Sequence, residues 1–536
     1  MAGSTRRIRP LLSQSTMISG RHPFGDRTWG IREVTALHLP KSRDVDGSRA
    51  VLGRWWVDLE ESSPRPQQRQ QDRIVQHSGT TLSVTPDLCR KFGFSATRCG
   101  DLVSENALPI SLFLTGKYAS TKTILASPIT SEYYWLALRR VMEPEKFSIH
   151  IPDERIDDLR QRLRATNWPG DFGNSDWDYG VEQGWLRDMV SYWADDFDWR
   201  AAEARMNAYD QFRVEIDGVL IHFMHIRSGR PNAIPLILTH GWPWTFWDWR
   251  GVVEELTRDN DDVAFDIVVP SLPGYGFSSP LRTPGLDIRG IGRLWVKLMT
   301  EVLGYERFAA AGGDLGSAIT AELGHAYPER VFAVHFCILL LPEFHYKDVR
   351  QEDYAPDEKW MIARNREAVP LITAHRVLHS TEPQTISYAL ADSPVGTAAW
   401  IWARRRAWSD SNSDVMSYRG RDFLCSLASV YWLTNTIGSS LRLYKEQYGG
   451  GVRATGMPAP TEWSLLRQDT PSIPVPTGVA VAPKEVALMP RAAVERRVNL
   501  ARWTVLPRGG HFLPSEAPDL LAQEYRAFFG EHRLSI

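Results

Sequence analysis

Gly312-Gly313-Asp314-Leu315-Gly316-Ser317 is the hexapeptide from which the architecture of this chain can be worked out. Phe308-Ala309-Ala310-Ala311 before it is apolar enough for a buried strand, and Ser317 to Tyr327 behind it reads as a helix stopped by Pro328. Asp314 therefore falls on a strand-to-helix turn. Glycines on both sides remove the Cβ atoms that would block a sharp bend, so the turn can push one side chain out at the carboxyl end of a sheet. This is the layout of a nucleophile elbow with a carboxylate in place of serine, and no Gly-x-Ser-x-Gly occurs in the chain. Taken alone, the same residues also describe an ordinary turn aspartate capping a helix, so further pieces have to fall in order.

With 536 residues, 43% of them apolar, the chain can bury a large core and is long enough for two or three units. A net charge of −2 gives no footprint for a nucleic acid or other polyanion partner. Cys89, Cys99, Cys337 and Cys425 show neither metal-ligand spacing nor a disulfide framework, so no metal and no cofactor is expected and a reducing compartment fits. No apolar run reaches the roughly 18 residues that a membrane-spanning helix needs, so a soluble, cytoplasmic protein is expected. The 21 tryptophans are mostly core, with some available for an apolar pocket.

Residues 1–143 differ in character from the rest. Their 20 Lys/Arg against 13 Asp/Glu contrast with the near-neutral whole, and an arginine- and serine-rich start faintly resembles a transit peptide. The expectation is a poorly structured extension or a mis-assembled gene model. Order begins near Phe147. In 144–230, Asp153 is placed to cap a helix over Glu154 to Thr166, and amphipathic helices follow over about Val181 to Asp195 and Trp199 to Tyr209. Phe212 to Phe223 alternates about Asp217-Gly218 as a β-hairpin. From 231 to 342, short apolar strands (Leu236 to Leu238, Phe265 to Val269, Phe308 to Ala311, Val331 to Phe336) alternate with helices (Trp249 to Thr257, Leu294 to Leu303), the pattern of a mostly parallel sheet covered on both faces. Residues 343–470 break the alternation with an aromatic-rich helical segment, and 471–536 resume the sheet at Val475 to Val481 and Trp503 to Leu506. The middle segment is thus an insertion that would lie over the carboxyl edge as a lid.

Glu485 follows the strand ending at Val481, and His511 follows the strand ending near Leu506. Singly they read as a solvated loop carboxylate and a turn histidine. Together with Asp314 they give nucleophile, acid and histidine at strand ends in the chain order of the α/β-hydrolase fold. His240-Gly241-Trp242-Pro243 after the first core strand can aim the backbone N–H of Trp242 at the reacting centre, with Leu315 N–H as second oxyanion donor.

Eight separated motifs carry a resemblance. Asn167-Trp168-Pro169, Tyr192 to Arg200, His240 to Pro243, Leu272 to Ser278, Gly-Gly-Asp314, Asp392 to Gly396, Val475 to Gly478 and Gly-Gly-His511 together resemble the microsomal-type epoxide hydrolases and their soluble fungal relatives, over about residues 144–536. The resemblance implies an α/β-hydrolase fold with an N-terminal helical extension and a helical lid, and a small-molecule epoxide and water as the partners. It leaves a homodimer open. It also implies that Asp314 opens the epoxide to an alkyl ester and that His511, oriented by Glu485, activates the water that hydrolyses it. The family protonates the departing oxygen with two lid tyrosines. Tyr444 matches the second, but His375 stands where the first belongs. His375 could substitute with a stronger pH dependence, Tyr444 could act alone and slowly, or the pocket could serve an unusual substrate. Leu315 stands where the family commonly has tryptophan, which keeps the backbone donor and changes the pocket wall. A haloalkane dehalogenase would want an indole donor at that position, and a non-catalytic binding protein would have no use for the histidine–acid pair. The aromatic lid suits an apolar epoxide.

Overall fold

The computed structural model describes residues 143–258, 263–338, 349–411, 414, 416–448 and 472–533, together with the backbone of 18–21, 28–35 and 56–60. In the N-terminal unit, strands Ile18–Arg21, Thr28–Thr35 and Trp56–Glu60 form a three-stranded antiparallel sheet. The transit-peptide-like start and most of the expected poorly structured extension lie outside the described residues.

The main unit is built on a nine-stranded sheet. Its strands are β1 (Glu145–Phe147), β2 (Gln211–Ile216), β3 (Val219–Ile226), β4 (Ile234–Thr239), β5 (Phe265–Pro270), β6 (Phe308–Gly312), β7 (Val331–Phe336), β8 (Ile473–Val481) and β9 (Val498–Val505). They lie in the order β9-β8-β7-β6-β4-β5-β3-β2-β1. Pairings from β9 to β5 are parallel, and those from β5 to β1 antiparallel. This is the α/β-hydrolase fold: β6 is central, and Phe308 to Ala311 are fully buried because both faces of the sheet are covered.

The local reasons are legible. Asp217 and Gly218 both take positive φ, 52° and 77°, and pair Ile216 with Val219, as a two-residue hairpin turn requires. Helix α1 (Asp153–Arg164) buries Ile156, Leu159 and Leu163 along one stripe. Asp153 does not cap it, however. It is the first helical residue and its carboxylate pairs with Arg200, which leaves Pro152 as an N-cap without a side-chain bond. Helix α2 (Gln183–Asp195) is capped by Glu182, which accepts from Gly184 and Trp185 N–H at 2.6 Å each, and α3 (Trp199–Asn207) by Asp198.

After α4 (Arg250–Leu256) comes α5 (Ile288–Lys297), which begins six residues before its sequence expectation. Gly290 and Gly292 disguise its first turns, which Asp287 caps by accepting from Gly290 N–H at 2.9 Å. Strand β9 begins at Val498 rather than Trp503. It is the sheet's edge, mostly half-exposed, and carries no continuous apolar run. Helix α6 (Leu315–Ala326) follows β6 directly.

Between β7 and β8 come helices α7 (Trp360–Thr381), α8 (Pro383–Asp392), α9 (Pro394–Trp408), α10 (Met416–Leu433) and α11 (Ile437–Tyr448). Residues 339–348 and 449–471, at either end of this helical segment, lie outside the described residues. After β8, α12 (Arg491–Glu495) leads into β9, and α13 (Leu513–Glu516) and α14 (Pro518–Glu531) complete the chain.

Candidate active site

The turn from β6 into α6 holds Asp314 at φ 54° and ψ −128°, a conformation a non-glycine residue adopts at a cost of about 1–3 kcal/mol. The surroundings enforce it. A Cβ on Gly316 would stand 2.1 Å from Thr239 O, so only glycine lets α6 start this close to the end of β4. The bend leaves Asp314 8% exposed and aimed across the carboxyl edge of the sheet.

Three expected residues meet there. Trp242 N–H donates to Asp314 Oδ1 at 2.9 Å. His511 Nδ1 lies 2.8 Å from Glu485 Oε1, and its Nε2 lies 3.3 Å from Asp314 Oδ2 without the alignment of a hydrogen bond. His511 is 2% and Glu485 1% exposed, so all three side chains are buried. Burial by itself would strip the His511 proton, but the Glu485 and Asp314 carboxylates on either side outweigh it and raise the imidazole to about 10. The two carboxylates thus favour the protonated form of His511. Leu315, buried at the start of α6, brings one of the N–H groups that a helix cannot satisfy internally.

Glu485 is fixed from both sides. Val486 N–H donates to its Oε1 at 2.6 Å, and Arg364 on α7 donates to the carbonyls of Lys484 and Glu485 at 2.7 and 3.0 Å. His511 N–H donates to Trp408 O at the end of α9 at 2.9 Å, so helices from the segment between β7 and β8 brace both acid and histidine.

That segment also carries the other two expected residues. His375 on α7 stacks on the Trp242 indole, centroids 5.4 Å apart and planes 14° from parallel, and meets Tyr444 of α11 edge-on at 5.6 Å. Trp242 itself lies 6.3 Å from the Tyr444 ring. The structure thus brings His375 and Tyr444 to the same wall. Burial, reinforced by His379, Arg404, Arg376 and His511, pushes the His375 proton affinity well below the ordinary histidine range, which keeps the ring neutral at pH 7. The stronger pH dependence expected of a histidine at this position therefore has no basis near neutrality. Burial and the Asp314 charge push Tyr444 well above the usual phenol range, so it keeps its proton.

Two structural supports escape a reading of the sequence. Arg405, in the run Arg404-Arg405-Arg406, looks like part of a solvated face. It is fully buried, paired with the fully buried Asp248 at 2.7 and 3.0 Å, and donates to Pro243 O at 2.7 Å, which ties α9 to the turn that carries Trp242. His240 is the second. Burial lowers it to about 4, and it is a structural tie whose Nε2 accepts from Leu272 N–H at 3.0 Å. Charge pattern does not mark Arg405, and the His240 motif shows a turn but not this tie, because the partners Asp248 and Leu272 are distant in sequence. Among the described residues no group of three or more His, Cys, Asp or Glu could hold a metal ion, and no helix is long and apolar enough to cross a membrane.

Residues 144–249 match the family model described as epoxide hydrolase N terminus, and residues 234–362 the model described as alpha/beta hydrolase fold. A putative epoxide hydrolase of Stigmatella aurantiaca is 35% identical over 394 residues, covering 72% of this chain and 85% of that protein. Epoxide hydrolase 1 of Sus scrofa is 32% identical over 417 residues, covering 72% and 88%. Among solved structures, Aspergillus niger epoxide hydrolase superimposes with a TM-score of 0.63 at 29% identity, over 73% of this chain and 97% of that one. With this sheet order, this carboxylate elbow and relatives matched over most of their length, the chain belongs to the epoxide hydrolase family.

Proposed function

We propose that this protein converts an apolar epoxide to a vicinal diol through an ester on Asp314. The observation that carries this reading is His511 bridging two carboxylates, with Nδ1 at 2.8 Å from Glu485 and Nε2 at 3.3 Å from Asp314. Asp314 Oδ1 is engaged by Trp242 N–H, which leaves Oδ2 to attack an epoxide carbon. The carbon–oxygen bond breaks and Tyr444, with its phenol held protonated, gives its proton to the departing oxygen. A neutral His375 beside it adds a donor if its N–H faces the pocket.

Esterification removes the negative charge of Asp314. Burial then acts on His511 against one anion instead of two, so its proton affinity falls and it can return the proton that Tyr444 spent. Neutral His511, oriented by Glu485, takes a proton from water as the oxygen attacks the ester carbonyl carbon. The oxyanion forms on Oδ1 beneath Trp242 N–H, with Leu315 N–H as the second donor. Collapse expels the diol oxygen, protonated by His511. The carboxylic acid left on Asp314 then gives its proton back to His511, which restores the starting pair of charges. Trp242, whose N–H holds Asp314, packs its ring against Trp408, His375 and Tyr444, an aromatic wall that suits an apolar epoxide.

The test is intact-protein mass of the His511→Gln full-length chain after exposure to styrene oxide and other apolar epoxides. A mass gain of one substrate, absent when Asp314→Asn is added, is the expected result. A gain that persists in the double variant would remove Asp314 as nucleophile.

A further inference from the structure

From the hydrogen bonds around the His511 loop we infer that Glu516 is a positioning residue for the second half-reaction, holding His511 in register and locking the end of α9 to its loop. The inference rests on the reading of His511 as the base that activates water.

Glu516, five residues after His511, lies at the end of the four-residue helix α13, and nothing in the mechanism above uses it. Its Oε1 accepts from Phe512 N–H at 2.8 Å, and its Oε2 accepts from Gly510 N–H at 3.1 Å and Asp410 N–H at 2.6 Å. The first two donors flank His511, and the third lies two residues beyond the end of α9. One carboxylate therefore satisfies three N–H groups from two segments about a hundred residues apart. The same segments exchange further bonds: Gly509 N–H donates to Asp410 Oδ2 at 2.9 Å, and His511 N–H to Trp408 O at 2.9 Å. Their backbones are in close contact, since a Cβ on Gly510 would stand 2.7 Å from Asp410 N and 2.8 Å from Trp408 O.

This arrangement bears on chemistry because His511 Nε2 makes no hydrogen bond and its aim is set by the backbone and by Glu485. Asp314 is held through Trp242 and the β6–α6 turn; α9 reaches the turn that carries Trp242 through Arg405, whose bonds to Asp248 and Pro243 O do not involve Glu516. Loosening the loop therefore perturbs water activation more than the nucleophile. Burial and the nearby Glu485 charge raise the Glu516 carboxyl to about 7, the cost of keeping a second acid close to the catalytic one for the sake of these three bonds.

Replacing Glu516 with Gln keeps the size and turns an amide N–H₂ towards N–H donors. Rapid-quench mass spectrometry of the full-length Glu516→Gln and Glu516→Asp chains with styrene oxide separates the two half-reactions. The expected result for Gln is ester hydrolysis slowed about 10- to 100-fold, the range that misplacing a catalytic group by up to 1 Å produces, with alkylation within about threefold of wild type and ester accumulating in the steady state. The Asp variant, which keeps the charge, should recover part of the hydrolysis rate, and it serves as the test if the Gln variant does not fold. Equal slowing of both half-reactions, or no slowing of hydrolysis, would overturn the inference. Absence of ester in wild type and in His511→Gln alike would instead overturn the two-step reading itself.

Discussion

Gly241 is the position at which one methyl group would most directly displace the nucleophile. A Cβ built there falls 2.2 Å from Asp314 Oδ1, 2.4 Å from its Cβ and 2.7 Å from its Cγ. Ordinary contact begins near 3.4 Å, so Asp314 would have to retreat by about 1.2 Å in Gly241→Ala. Gly241 does not occupy the left-handed φ range, so alanine meets no backbone penalty and the effect is steric. Asp314 has little freedom to yield, since its own φ of 54° is imposed by the turn and Oδ1 is bonded to Trp242 N–H. A misplacement of about 1 Å costs about 100-fold, or about 2.7 kcal/mol of activation free energy. The assay is single-turnover mass spectrometry of ester formation in a His511→Gln background, where the ester does not turn over, with circular dichroism to establish the fold. Alkylation within threefold of the parent in a folded Gly241→Ala chain would refute the steric argument and with it the placement of Asp314 against this turn.

Other expectations follow from the same geometry. Arg405→Met leaves Asp248 buried and unpaired, which should lower stability by about 3–5 kcal/mol in urea denaturation, and adding Asp248→Leu should recover much of it. His511 binds its proton more tightly folded, near 10, than unfolded, near 6.5; its contribution to stability is whole below pH 6.5 and is lost as pH rises through 10. The urea midpoint should therefore fall between pH 7 and 10, and His511→Gln should flatten that decline. Tyr444→Phe should slow alkylation about 10²- to 10⁴-fold, the range for loss of a general acid, with less effect on ester hydrolysis. Because burial keeps His375 neutral, the pH profile of alkylation between 5 and 8 should be unchanged in His375→Gln even if the rate falls, which rapid-quench measurements at several pH values would check.

The sheet, the order of its working loops and three members of the site can be read from the residues in order, because each is written in local pattern. Phe308 to Ala311 followed by glycine-flanked Asp314 announces a buried strand and a sharp turn, and Glu485 and His511, unremarkable singly, stand out jointly by following two later strands in order after Asp314. Where such patterns are weak the boundaries shift: α5 starts earlier behind Gly290 and Gly292, edge strand β9 starts earlier with its mixed exposure, and the cap expected of Asp153 gives way to a pairing with Arg200, 47 residues away. The remainder depends on how the chain packs. Whether Arg405 is a solvated charge or half of a buried ion pair depends on Asp248, 157 residues distant, and whether His375 titrates near neutrality depends on what buries it. Glu516 is one glutamate among many until three N–H groups from two segments converge on it. Hydrogen-bond partners and dielectric surroundings are properties of the packed chain, so a residue's identity fixes what it can do and its neighbours fix what it does.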